Sequence, residues 1–341
     1  MAEREIFPGL IGNARIKALF SGAGREGSAH AYVLEGPAGS GKHTAALRIA
    51  ASFLCENRGS RTDPLPCGRC ASCRKVLSHR SVDVLTVSRG TRATLGVESI
   101  RAVRDDLWVA PNDGERKFYL IEDAHLMTAQ AQNALLLSLE EPPPWVMFLL
   151  LCEDASLLLE TVRSRAPVLP MERFSPAFTE EWLAAQTKDP DREKIVRAAH
   201  LAGGALGAAK KLYDGGGQEL GRYETAAELV RLLFQGKPSE VVVFLPSLPK
   251  ERAALRKVLS LSRSAVRDII ADKRGGELLF YSASEGVPAY AKKTSARKAA
   301  ELFGRLVRAE DDIAANLSAN TVMTALFAAG SSQRTESGRV P

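Results

Sequence analysis

Nine residues near the N-terminus, Gly36-Pro37-Ala38-Gly39-Ser40-Gly41-Lys42-His43-Thr44, follow the phosphate-loop pattern GxxxxGK[ST] at every fixed position except the last. Glycines at these spacings let a strand turn sharply into a helix so that backbone N–H groups converge on phosphate oxygens, and the lysine adds a point charge near the outer phosphates. The last position of the pattern offers a hydroxyl to Mg²⁺, and His43 stands there instead. Thr44 is turned about 100° further around the helix and is a poor substitute. Tyr32-Val33-Leu34-Glu35 before the loop and the apolar run Ala45 to Ala51 after it supply strand, loop and helix in the required order. The residues therefore predict a nucleotide-binding fold with weakened hydrolytic chemistry, ATP or ADP with Mg²⁺ being the candidate ligand. An ordinary glycine-rich turn is the bland alternative.

A second cluster carries different chemistry. Cys67, Cys70 and Cys73 are spaced Cys-x2-Cys-x2-Cys, and Cys55 precedes them at the end of the predicted helix. Thiols this close are poorly spaced for a disulfide framework but well spaced to wrap one tetrahedral ion, for which Zn²⁺ is the natural occupant. Four thiolates leave no open position for water, so the metal is expected to be structural. Reduced thiols without metal are the alternative. Cys152 lies alone at the end of an apolar strand.

The elements that must position these residues follow from the pattern of the chain. At 341 residues, 45% hydrophobic and 25% charged, the sequence has room for two or three domains with real cores. The net charge of +6 fits work near nucleic acid but is too modest to decide it. The N-terminus lacks the apolar core of a signal peptide and the longest apolar run is under half a membrane span, so the expected location is cytoplasmic, with no membrane partner. Short apolar segments at Tyr32–Glu35, Asp83–Val87, Lys117–Glu122, Val146–Cys152 and Pro167–Pro170 alternate with helical patterns, which predicts a parallel α/β sheet covered on both faces. A helix is expected from near Thr128, stopped by Pro142-Pro143-Pro144. Beyond Phe174 the chain reads as helices, around 177–213, 219–235, 249–272, 291–309 and 318–329, with Asp214 to Gly217 as a linker. The histidines His30, His79 and His125 have no ligand spacing and are assigned no role, Asp105-Asp106 and Asp311-Asp312 read as solvated helix faces, and Lys292, Lys293, Arg297 and Lys298 as a solvated basic face.

Lys117 to His125 is a strand ending in the carboxylates Glu122 and Asp123, where a Mg²⁺ ligand and a water-activating acid are expected. With Asn133 to Pro143 (NALLLSLEEPP) and Ser164-Arg165, the sequence resembles the clamp-loader branch of the AAA+ ATPases. Within the bacterial DNA polymerase III subunits it is more similar to the delta-prime type than to the gamma/tau type. A motor of the gamma/tau type would have Ser or Thr at 43, an Asp-Glu pair at 122–123, a Thr at the strand tip near Cys152 and an Arg in the segment 204–209, where this chain has His43, Glu122-Asp123, Cys152-Glu153 and Gly207. Arg163-Ser164-Arg165 keeps the Ser-Arg pair through which the family presents an arginine finger to a neighbouring subunit, although Ala166 replaces the usual cysteine.

The resemblance implies an AAA+ domain over 1–172 with a zinc module at 55–73, a helical lid at 173–216, a helical collar at 217–330 and a disordered tail at 331–341. It implies gamma/tau and delta as partners, and the sliding clamp and primed DNA through the complex. It casts Arg165 as a residue acting in trans while the chain's own ATPase is weak or absent. The rival readings are a gamma/tau-type motor ATPase and a nucleotide-dependent switch or scaffold outside replication.

Overall fold

Val146–Cys152 is a run of seven residues, every one buried, and such a strand needs partners on both edges and cover on both faces. The computed structural model gives it both. It describes residues 4–21, 29–188, 190–215, 217–276, 278, 280–281 and 286–336. The chain divides into two units, residues 1–173 and 174–341.

In the first unit the order is α1 (Ala14–Phe20), β1 (Ala31–Glu35), α2 (Lys42–Leu54), α3 (Ala71–Leu77), β2 (Val84–Val87), α4 (Val97–Asp106), β3 (Lys117–Ile121), α5 (Ala129–Glu140), β4 (Val146–Cys152), α6 (Glu160–Arg163) and β5 (Val168–Pro170). The strands form one parallel sheet in the order β2-β3-β4-β1-β5, with Val33 opposite Leu150 on one side and Val168 on the other. The five strands match the five apolar segments of the sequence to within a residue or two. Period-2 alternation sends Tyr32, Leu34, Phe118, Leu120, Leu149 and Leu151 into the core against α1 and α2. Val33, Tyr119, Ile121, Phe148 and Leu150 face the opposite core, against α4 and α5. Helix α5 starts where the sequence predicted, with the Thr128 hydroxyl accepting from the Ala131 amide.

Asp105 is exposed, as its solvated reading expects, but Asp106 departs from it. Asp106 accepts from the buried Lys117 ammonium at 2.8 Å and from the Tyr119 hydroxyl at 2.8 Å, because Lys117 begins a central strand and needs a counter-charge. The buried Asp83 does similar work at the sheet edge, accepting from the amides of Asn112 and Asp113 at 2.7 Å each and so tying the loop after α4 to the start of β2.

The second unit is helical: α7 (Pro176–Ala185), α8 (Arg192–Leu201), α9 (Leu206–Gly215), α10 (Gly217–Gln235), α11 (Pro238–Phe244), α12 (Arg252–Asp272), α13 (Ala289–Lys293), α14 (Ala296–Ala314) and α15 (Ala319–Glu336). A small core of Leu183, Ile195, Ala198, Ala202 and Ala209 joins α7, α8 and α9. A larger one gathers Leu229 and Val230 of α10, Val258 and Ile269 of α12, Leu302 and Leu306 of α14, and Met323 of α15.

Three details differ from expectation. The glycine linker is absorbed into helix ends, α9 finishing at Gly215 and α10 starting at Gly217, with Gly216 outside the described residues. The segment 291–309 is two helices rather than one, because Ser295 leaves the helical conformation and caps α14 by accepting from the Lys298 amide. Helix α15 continues to Glu336, through the first part of the expected tail, since each added helical residue closes one more backbone hydrogen bond; residues 337–341 lie outside those described.

Asp83→Ala is expected to destabilise the first unit by about 2 kcal/mol through the loss of two charge-assisted hydrogen bonds. Urea unfolding of the full chain followed by tryptophan fluorescence measures it, and an unchanged midpoint would show that the loop after α4 does not depend on this anchor.

Candidate nucleotide and metal sites

The phosphate loop leaves β1 directly. The Gly36 amide donates to the Cys152 carbonyl at 3.0 Å, and the Met171 amide donates to the Glu35 carbonyl at 2.7 Å, so the loop starts pinned between the ends of β4 and β5. Gly36 has no room for a side chain, since a Cβ there would lie 2.7 Å from Ser40 Oγ and 2.9 Å from Met171 Cβ. Gly41, at φ 92°, takes the left-handed turn into α2 that a glycine allows without strain. Lys42 folds back over the loop and donates to the carbonyls of Gly36 at 2.5 Å and Pro37 at 3.0 Å. Burial lowers the pKa of its ammonium, opposed by the nearby carboxylates of Glu153 and Asp123. Ser40 Oγ is buried without a hydrogen-bond partner.

His43 is engaged by two other elements. Its Nδ1 lies 2.9 Å from Glu122 Oε1, and its ring stacks on His79 with centroids 5.2 Å apart. His79, set aside on sequence, thus belongs to the site; its positive φ of 57° marks a tight turn after α3, a feature without a sequence signature. His43, His79, Ser81, Thr86 and Glu122 line a cleft of about 430 Å³. Glu122 itself is held at the end of β3 by its amide donating to the Val87 carbonyl at 2.9 Å. The neighbouring carboxylate is also engaged: Asp123, in the left-handed region at φ 49°, accepts from Arg89 Nε at 3.0 Å. Arg89 was not singled out from the sequence, because 34 residues separate it from its partner.

The residues present do not fit the Mg²⁺ of a phosphate-loop ATPase. The hydroxyl ligand is replaced by an imidazole already bonded to the first acid, and the second acid faces a guanidinium. Lys42 and the loop amides are nevertheless donors suited to phosphate oxygens. At the strand tip, burial raises the Cys152 thiol to about 11, so it stays protonated and offers no charge to a nucleotide. His125 and His30 have local duties, His125 Nδ1 accepting from the Glu153 amide at 3.3 Å and His30 Nε2 lying 2.7 Å from the Leu139 carbonyl.

Arg165 sits between α6 and β5. Its guanidinium lies 2.5 Å from Glu140 Oε1, 3.0 Å from the Thr161 carbonyl and 3.3 Å from Ser164 Oγ, and about a third of the side chain is exposed.

The four cysteines converge. The sulfurs of Cys55, Cys67, Cys70 and Cys73 all lie within 4.8 Å of one another, and Cys67 and Cys73 are 4.0 Å apart. Tetrahedral Zn²⁺ with bonds of about 2.3 Å separates its sulfurs by about 3.8 Å, so the donor set fits. Cys55 ends α2 and Cys70 caps α3, its sulfur accepting from the Cys73 amide at 3.4 Å. Partial burial works against ionisation of Cys67, yet the amides of Cys70 and Arg69 and the Asn57 side chain hold it down to about 6, as a thiolate ligand requires. Burial raises Cys73. The insertion is stitched to the N-terminus, where the Phe7 amide donates to the Leu65 carbonyl at 2.7 Å and the Leu65 amide to the Glu5 carbonyl at 2.9 Å.

A family described as DNA polymerase III, delta subunit, matches residues 12–175. The DNA polymerase III subunit delta' of Bacillus subtilis is 32% identical over 181 residues, which cover 53% of this chain and 54% of that protein. Over residues 12–175 the chain is thus similar to clamp-loader subunits of DNA polymerase III. The gamma subunit of Buchnera aphidicola from Acyrthosiphon pisum is similar at 30% identity over 215 residues, covering 62% of this chain and 58% of that one. The matched segment thus spans little more than half the length of these relatives. A solved gamma subunit-related protein of Thermotoga maritima aligns over 89% of this chain and 95% of its own, at 16% identity and a TM-score of 0.46. Among the described residues, no helix is long and apolar enough to cross a membrane.

One Zn²⁺ per molecule is expected by elemental analysis of protein purified without chelator. Cys70→Ser should release it, and acid should release it too, because each thiol must lose its proton to bind. Protein that is natively folded and free of metal would refute the assignment.

Proposed function

We propose that this chain is the delta-prime subunit of a cytoplasmic DNA polymerase III clamp loader, a stator and arginine-finger donor rather than a motor. The observation that carries the reading is the direct contact of His43 with Glu122, at 2.9 Å, in the place where a motor would hold a hydroxyl, a metal and a free acid. The pairing of Asp123 with Arg89 supports it by engaging the second carboxylate. In this reading residues 1–172 are the AAA+ domain, 173–216 the lid, 217–330 the collar and 331–341 the tail. A structural Zn²⁺ holds the 55–73 module. Gamma/tau and delta are the partners, and the sliding clamp and primed DNA are met through the assembly.

Arg165 is suited to work in a neighbour's site. Its pairing with Glu140 is a partly exposed ion pair, and such pairs contribute at most about 1 kcal/mol. The guanidinium can therefore exchange a carboxylate for a more highly charged phosphate at little cost, using the planar fork that lysine lacks. A gamma/tau-type motor remains the second reading, favoured by the comparable similarity to a gamma subunit.

The two readings part on turnover. The isolated chain is expected to hydrolyse ATP no faster than its Lys42→Ala variant; robust turnover that vanishes in that variant would assign a motor. In a complex reconstituted with gamma/tau and delta, Arg165→Ala should leave subunit stoichiometry intact. DNA- and clamp-stimulated ATPase should fall, by on the order of 10³ in the one site it serves and by less in the total rate because other sites keep their own fingers. Arg165→Lys should rescue poorly. Unchanged ATPase and clamp loading in Arg165→Ala would leave the chain a scaffold.

A further inference from the structure

A phosphate-loop site ordinarily needs its divalent cation for two reasons. The cation bridges the helix hydroxyl to the phosphates, and it screens the repulsion between those phosphates and the carboxylates at the end of the neighbouring strand. Neither need survives here. No hydroxyl follows Lys42, and Thr44 is turned away on the helix. Glu122 faces the imidazole of His43 at 2.9 Å, and Asp123 faces Arg89 at 3.0 Å, so each carboxylate already has a protein partner. The groups that hold phosphate directly are retained: the loop amides, and the Lys42 ammonium now resting on the carbonyls of Gly36 and Pro37.

We infer that the phosphate loop of this chain binds nucleoside di- and triphosphates without a divalent cation, the contact between His43 and Glu122 standing where the metal bridge would be. This inference rests on the nucleotide-binding reading of the loop and deepens it, because it states what kind of ligand complex the site takes: the free nucleotide rather than its magnesium complex. The consequence is chemical as well as structural. A nucleotide bound without metal keeps its terminal phosphate unpolarised, and with the nearest acid held by His43 no group is placed to activate water, so the site retains nucleotide without turning it over.

The full chain titrated calorimetrically with ADP and with ATP, in excess Mg²⁺ and in excess EDTA, tests this. Dissociation constants in the two buffers are expected to agree within about threefold, and Lys42→Ala should abolish the heat in both. His43→Thr restores the hydroxyl and frees Glu122, and its affinity should become magnesium-dependent by about tenfold or more. Wild-type binding that weakens tenfold or more in EDTA overturns the inference while leaving nucleotide binding intact. Absence of binding in both buffers overturns the inference together with the nucleotide reading beneath it.

Discussion

Every strand of the sheet runs the same way, and that single constraint decides where chemistry can occur. Parallel strands deliver all their carboxyl ends to one edge. In the order β2-β3-β4-β1-β5 this edge collects Glu35 and the phosphate loop from β1, Glu122 from β3 and Cys152 from β4. Because β4 lies between them, β1 and β3 are two strand spacings apart, about 10 Å. A short hydroxyl side chain at the start of α2 cannot cross that gap unaided, and a metal ion normally completes the span. An imidazole is longer, and His43 reaches Glu122 with no ion between. The substitution at one position therefore changes the site from one built to hold a cation into one that is closed by protein atoms.

That closure also balances charge. Two adjacent carboxylates next to a phosphate site repel each other and the ligand unless something positive intervenes. Here the Arg89 guanidinium answers Asp123 and the His43 ring engages Glu122 at 2.9 Å, while Lys42, partly desolvated, stays on the loop carbonyls. Arg165 lies apart from this group, paired with Glu140 at the C-terminal end of α5, and this ion pair and that of Arg89 with Asp123 are exposed to the same degree.

The strands were legible because burial on both faces writes itself as uninterrupted apolar runs, and Val146–Cys152 could be nothing else at that length. The start of α5 was legible from Thr128, and the cysteine cluster from spacing alone. What sequence did not reveal were pairings between residues far apart in the chain. His43 meets Glu122 across 79 positions and His79 across 36, and no local pattern encodes either contact. Asp106 was misread for the same reason: its helix face looks solvated until the start of β3 brings Lys117 beneath it. The break at Ser295 was a signal overlooked, a serine three residues before the amide it caps inside an otherwise helical pattern.

Helix α2 bears the phosphate-loop residues at its start and Cys55 at its end, so its 13 residues, about 20 Å of helix, connect the two sites. A rigid connection would couple a change at the cysteine cluster to the loop. The packing argues against it. Ala45, Ala46, Ile49, Ala50, Ala51 and Phe53 are buried against the sheet, and that interface alone fixes the helix along its length. The insertion has no comparable core, only Leu65 and the thiols themselves with Ile6 alongside. A segment that small cannot repay its ordering entropy by apolar burial, and a metal held by the four thiols would supply the missing cross-link. The helix is thus a boundary between two parts: the geometry at His43 is set by the sheet, and the small 55–73 segment beyond Cys55 has to find its stability in its own cysteine cluster.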